Sequence, residues 1–234
     1  MYGTLYLIPT TMGECDLNRV LPSYNATIVN ALKNFIVEDI RTARRFLKKV
    51  NREIDIDSLT FATLNEQTRL TEFGDLLKPL LEGKDVGVIS EAGCPAIADP
   101  GADVVRLAQE KGIKVVPLVG PSSILLSLMG SGFNGQNFAF VGYLPIEPHE
   151  RSKTLKSLEK KVFVENQTQI FIETPYRNNK LVEEIIHNCS SQTKLCIAAD
   201  ITLETELIVT KTLAAWKHQL PEIQKRPTIF LLGK

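Results

Sequence analysis

The 234-residue sequence has no surplus of charge: 27 lysines and arginines balance 27 aspartates and glutamates. That balance excludes a protein that wraps a polyanion through bulk charge, although it leaves room for a local basic patch. No run of about 18 uninterrupted apolar residues occurs, the length a membrane-spanning helix needs, so no membrane partner is expected. Met1-Tyr2-Gly3-Thr4 offers no basic region ahead of an apolar stretch, and no signal peptide is expected. The four cysteines form no Cys-x-x-Cys pair, and His149, His187 and His218 stand far apart. Neither pattern has zinc spacing, so no metal is expected. The cysteines read as reduced thiols of a cytoplasmic protein. There is no Walker sequence and no Gly-x-Ser-x-Gly elbow, which leaves kinase-like and hydrolase readings without an anchor. A literal Gly-x-Gly-x-x-Gly, Gly130 to Gly135, follows a helical run and precedes a strand. That is the wrong context for a dinucleotide fingerprint.

With 44% hydrophobic and 23% charged residues, the sequence is that of an ordinary globular protein. Short apolar runs alternate with helical patterns. Strands are expected at 5–8, 35–38, 59–62, 86–90 and 114–118, with helices at 24–32, 41–50 and 71–81 between them. This alternation implies parallel pairing, because a parallel connection needs a crossover. The second half carries expected strands at 138–141, 169–173, 195–199, 207–210 and 228–232, and helices at 121–129, 152–161 and 180–189. The 203–211 stretch can pair with a neighbour without a crossover, so a mixed sheet is expected there. The reading is two α/β lobes, 1–119 and 120–234, the first with a mostly parallel sheet. Residues 115–146 hold no charged side chain at all. The run suits a buried core, a cleft wall or a subunit contact.

Two segments stand out. The first is Ser90-Glu91-Ala92-Gly93-Cys94-Pro95-Ala96-Ile97-Ala98-Asp99-Pro100-Gly101. It follows the 86–90 strand and precedes a helix, where Asp99 is expected as N-cap and Pro100 at the first helical position. Ligands bind at such strand ends in open α/β sheets. The second is the 41–50 helix. Arg41, Arg44, Arg45, Lys48, Lys49 and Arg52 share one face, opposite Ile40, Ala43, Phe46, Leu47 and Val50. Such a face is either solvated or meets a phosphate backbone.

These residues resemble the tetrapyrrole methylase superfamily, the class III S-adenosylmethionine-dependent methyltransferases. They are most similar to the branch that methylates a ribose 2′-hydroxyl of small-subunit ribosomal RNA. Pro9-Thr10-Thr11-Met12-Gly13-Glu14 resembles its Pro-Thr-Pro-x-Gly-Asn, and Glu38-Asp39-Ile40-Arg41 its Glu-Asp-Thr-Arg. Ser90 to Gly101 resembles Ser-Asp-Ala-Gly-Thr-Pro-x-Ile-Ser-Asp-Pro-Gly. Val119-Gly120-Pro121-Ser122 resembles Pro-Gly-Pro-Ser, and Glu173-Thr174-Pro175-Tyr176-Arg177 resembles Glu-Ser-Pro-His-Arg. The chain departs from the family in 61–66, which keeps Asn65 and Glu66 but lacks a histidine. It departs again in 198–203, where two cations are missing.

The resemblance implies a methyltransferase fold with S-adenosylmethionine in a cleft between the lobes, a homodimer, and ribosomal RNA as partner. It implies cofactor contacts at Pro9, Thr10, Glu91, Ala92, Gly93, Ala96, Ile97, Ser122 and Ser123. Further contacts are implied at Phe171, Glu173, Ala198, Ala199, Pro227 and Thr228. A hydroxyl acceptor needs a base, for which Glu38, Asp39 and Glu66 are the expected catalytic residues. Arg41, Arg44, Arg45 and Lys48 are the expected substrate contacts. A tetrapyrrole C-methyltransferase and a non-catalytic relative that binds the cofactor or RNA are the alternatives.

Overall fold

The computed structural model describes residues 1–64 and 73–234. The chain forms two compact units, Met1–Ser122 and Ser123–Lys234. In the first, β1 (Leu5–Ile8), α1 (Ser23–Ala31), β2 (Asn34–Val37), α2 (Ile40–Val50) and β3 (Thr60–Thr63) are followed by α3 (Phe73–Leu81), β4 (Val86–Ile89), α4 (Gly101–Glu110) and β5 (Val115–Pro117). The strands make one sheet in the order β3-β2-β4-β1-β5, parallel throughout.

Both faces of this sheet are covered, which is why its strands are apolar runs rather than alternating ones. Val29 of α1 and Ala43, Phe46 and Leu47 of α2 pack with Ile8, Phe35, Val37 and Ile89 on one face. Leu76, Leu77 and Leu80 of α3 and Val104 and Ala108 of α4 pack with Leu5, Leu7, Ile36 and Val88 on the other. The chain therefore winds one way from β1 and the opposite way from β4.

The second unit runs α5 (Ser123–Ser131), β6 (Phe138–Tyr143), α6 (Pro148–Val164), β7 (Thr168–Ile172), α7 (Asn178–Asn188), β8 (Lys194–Ala199), β9 (Leu207–Thr212), α8 (Leu213–His218) and β10 (Thr228–Gly233). Its sheet, β6-β7-β10-β8-β9, is mixed: β6 pairs parallel with β7 and the other pairs are antiparallel. Leu155, Leu158, Phe171, Leu181, Ile185, Trp216 and Phe230 fill its core.

The fold class is as expected: two α/β units, one parallel and one mixed. Gly130 falls in the last turn of α5 and the glycine motif leads into β6, so it opens no helix. Two local expectations need correction. α4 begins at Gly101, with Pro100 flanking it rather than inside it. Asp99 is not its N-cap residue; its carboxylate accepts from Gly101 N–H at 2.6 Å and from Ala96 N–H at 3.1 Å. α8 was not expected from the sequence. It is a six-residue helix capped by the Thr212 hydroxyl, which accepts from Ala215 N–H.

Candidate active site

β1 and β4 lie side by side, and the connections that leave them cover opposite faces of the sheet. The crevice outside their carboxyl ends is the topological switch point of the first unit, where open α/β sheets bind ligands. Three loops meet there. Thr10 N–H donates to Gly93 O at 3.0 Å, and Thr10 Oγ1 donates to Ser90 O at 3.2 Å. Ser90 Oγ donates to Gly93 O at 2.7 Å, and Cys94 Sγ donates to Pro121 O at 3.3 Å. The loops after β1, β4 and β5 are thus bonded to one another. Gly120 allows the closest approach: a Cβ there would stand 2.3 Å from Pro9 Cβ and Cγ.

The β4 loop is strained. Gly93, Ala96 and Ala98 all have positive φ, at 70°, 65° and 55°. Only the glycine adopts this region freely, and such backbone persists where the surroundings impose it, most often at functional sites. Here Asp99 imposes part of it by holding the Ala96 and Gly101 N–H groups. Ala92 and Ile97 are exposed on this loop, whereas Pro9 and Thr10 are buried beneath it.

A cavity of about 280 Å³ opens at the switch point, lined by Thr10, Met12, Glu14, Thr42, Arg45, Phe46, Lys49 and Glu91 among others. α2 forms one wall. Thr42 Oγ1 donates to Glu91 Oε1 at 2.7 Å, and Lys49 Nζ donates to Glu14 Oε2 at 2.5 Å. The Lys49 ammonium holds the exposed Glu14 carboxyl below the usual carboxylate range.

The expected catalytic carboxylates are dispersed. Asp39 caps α2, accepting from Thr42 N–H at 2.8 Å, and that bond holds its carboxyl below the usual range. Glu38 is half-buried just beyond β2. Glu66, with Asn65, lies outside the described residues. The cations divide as well. Arg45 and Lys49, one helical turn apart, face the cavity. Arg44 instead lies over the Phe61 ring at 5.5 Å, and Lys48 Nζ donates to Arg52 O at 3.0 Å. Arg41 is exposed at the start of α2. Lys49, which the sequence places on the same basic face, joins Arg45 at the cavity wall.

In the second unit, Ser123 opens α5. Ile172 pairs with Ile229, and Ala199 with Thr228, so the ends of β7 and β8 and the start of β10 share one edge. Phe171, Ala198 and Ala199 are fully buried, and Phe171 stacks on Phe230. The Thr228 hydroxyl is engaged, donating to Arg226 O and accepting from Asn178 Nδ2. Exposed Pro227 accepts from Asp200 N–H through its carbonyl. Glu173 is engaged too. Its Oε1 accepts from Thr174 N–H at 2.7 Å and from Arg177 Nε and Nη2 at 3.0 and 2.6 Å. Arg151 Nη1 lies 3.9 Å from its other oxygen. It holds the turn after β7.

Among solved structures, the chain matches that of the methyltransferase CobJ with a TM-score of 0.65 and 16% identity, covering 100% of this chain and 94% of that one. It matches the cobalamin-biosynthetic cobalt precorrin-4 methyltransferase CbiF with a TM-score of 0.62 and 17% identity, covering 98% and 94%. At these identities the likeness carries the fold. No family model matches the chain. The two-unit fold matches these methyltransferases, and the chain is itself a methyltransferase. A Thermotoga maritima protein named ribosomal RNA small subunit methyltransferase I is 34% identical over 237 residues, 99% of either chain. The chain belongs to the ribosomal RNA small subunit methyltransferase I family.

Proposed function

We propose that the protein moves a methyl group from S-adenosylmethionine to a ribose hydroxyl of small-subunit ribosomal RNA. The observation that carries this reading is the cavity at the β1/β4 switch point, walled by two cations of α2 and rimmed by Glu91. A sugar-phosphate acceptor asks for that combination: positive charge for phosphate and a carboxylate for the hydroxyl proton. The name of the Thermotoga relative supports RNA as the acceptor.

The loops suit the donor. A sulfonium ligand needs a few acceptors in an otherwise apolar slot. The 90–101 loop supplies turned backbone at Gly93 and Ala96. When bound, S-adenosylmethionine supplies the electrophilic methyl. The chain's own residues orient the acceptor and take its proton. Asp39, already an N-cap with its carboxyl pushed down, is poorly suited to be a base, because a base works best with its pKa near the operating pH. Glu91 is the carboxylate we assign to receive the hydroxyl proton, with Thr42 fixing its orientation. Glu38 and Glu66 are the remaining candidates.

We further propose a homodimer that works in the cytoplasm. Leu125, Met129, Phe138, Val141, Tyr143 and Ile146, all from the charge-free stretch, are exposed. An apolar group of this kind favours a protein contact.

Transfer of tritiated methyl from S-adenosylmethionine tests the acceptor, with small-subunit RNA and precorrin-type tetrapyrroles as competing substrates. Label in RNA, at a 2′-O-methyl nucleoside after digestion, is the expected result. Label only in the tetrapyrrole would establish the alternative acceptor. Donor binding by calorimetry without transfer to either would mark a non-catalytic relative.

A further inference from the structure

We propose that the cavity beside α2 seats a phosphate next to the acceptor ribose, and that Glu14 fills that seat as a displaceable anion until RNA arrives. This rests on the RNA reading above.

The six cations of the α2 region are not equivalent. Arg44 is spent on the Phe61 ring and Lys48 on the Arg52 carbonyl. Arg45 and Lys49 remain for the cavity. Among the described residues, Arg45 makes no hydrogen bond or salt bridge, although its charge reaches Glu14. Lys49 is held, among the described residues, only by Glu14. Two cations one turn apart, one open and one lightly held, can together engage a single phosphate group, whose several oxygens accept from both.

Glu14 suits a temporary occupant. Its side chain is 90% exposed, so the carboxylate swings into water without loss of packing. Exposed ion pairs are weak and screened. It also stands where the family pattern described above has an uncharged asparagine. At about 280 Å³ the cavity falls just under the roughly 300–1,000 Å³ of sites for drug-sized ligands. That size suits a ribose and its phosphate.

The consequence has a sign that a simple loss of contacts would not give. Removing Glu14's charge should strengthen RNA binding. Fluorescence anisotropy with a labelled RNA oligonucleotide of small-subunit sequence, on the full chain, reads this out. Glu14→Gln is expected to tighten binding by up to about fivefold, the scale of a displaced surface ion pair. Arg45→Gln and Lys49→Gln are each expected to weaken it, and the double variant to lower the log–log salt slope by about 0.7, the share of one phosphate. In the Lys49→Gln background, Glu14→Gln should gain less, because the pair is already broken. Asp16→Asn removes a nearby exposed charge outside the cavity. If it tightens binding as much as Glu14→Gln does, the effect is general repulsion and the seat is overturned. Unchanged affinity in Glu14→Gln overturns it too. Calorimetry with S-adenosylmethionine confirms that each variant is folded. Methyl transfer by the parent separates the two levels. A parent that neither binds nor methylates RNA removes the RNA reading and this inference together. A parent that does both, with Glu14→Gln equal to Asp16→Asn, removes only the seat.

Discussion

Thr42 Oγ1 stands 2.7 Å from Glu91 Oε1, so the first turn of α2 and the loop after β4 share one hydrogen bond across the cavity. Asp39 O, 3.0 Å from the same hydroxyl, is the longer and competing acceptor for its single proton. Thr42→Val keeps the shape and removes the donor. A hydrogen bond to a charged group contributes about 1.5–3 kcal/mol, so kcat is expected to fall roughly tenfold or more. Thr42→Ser is expected to retain most activity. Glu91→Gln should lower kcat more than Thr42→Val, with RNA affinity little changed. Steady-state kinetics with RNA separates the two parameters. Equal losses in KM alone would assign the pair to binding.

Glu173 is 2% exposed and accepts three hydrogen bonds through one oxygen. Glu173→Ala strands Arg177 and the Thr174 N–H. Breaking a buried ion network from one side costs about 3–5 kcal/mol. Arg177 still reaches water, so about 3 kcal/mol is expected. Urea denaturation should show a lower midpoint at unchanged slope. A loss of about 1 kcal/mol or less would show that the network acts like a surface ion pair.

Gly120→Ala drives a methyl group into Pro9. Overpacking of this kind costs roughly 1–3 kcal/mol. Because Pro9 and Gly120 belong to two of the bonded loops, S-adenosylmethionine binding is expected to weaken along with the melting temperature. Gly112→Ala, where a Cβ meets nothing within 4 Å but φ is +68°, should lower the melting temperature without touching donor affinity.

Burial, aided by the nearby Glu159 carboxylate, pushes the Cys189 thiol up to about 12. Cys196 and Cys94 are also pushed up by burial. The thiolate is the reactive form, so iodoacetamide at pH 8 should leave Cys189 and Cys196 unmodified in the native protein, as read by mass spectrometry. The stability contribution follows the same sign. The folded thiol binds its proton more tightly than the unfolded one, so the contribution is full below pH 9 and fades from 9 towards 12. Cys189→Ala should therefore flatten the decline of melting temperature across that range.

Strands such as 86–89 were legible because a strand buried on both faces is a plain apolar run, and the α2 face because its period is strict. α8 was missed because six residues carry fewer than two turns of pattern. The helix after the 90–101 loop was placed one residue early. Pro100 suits a first helical turn on propensity alone, while the Asp99 carboxylate is drawn to Ala96 by a backbone bend that no local pattern encodes. The split of the basic face was illegible for another reason. Arg44 and Arg45 are neighbours in sequence, and only the position of Phe61 on β3 sends one to a ring and leaves the other in the cavity.

β1 is synthesised long before its partners, residues 86–89 and 115–117. No local hairpin can shelter it meanwhile. Leu5-Tyr6-Leu7-Ile8 waits as an apolar segment with both edges open until the chain has grown past Pro117, the kind of interval in which aggregation competes with folding. Closing so long a loop has to precede every contact that rewards it. The pace at which the first unit folds is then governed by the return of β4 and β5 to the N-terminal strand, and helices formed earlier can only wait for it.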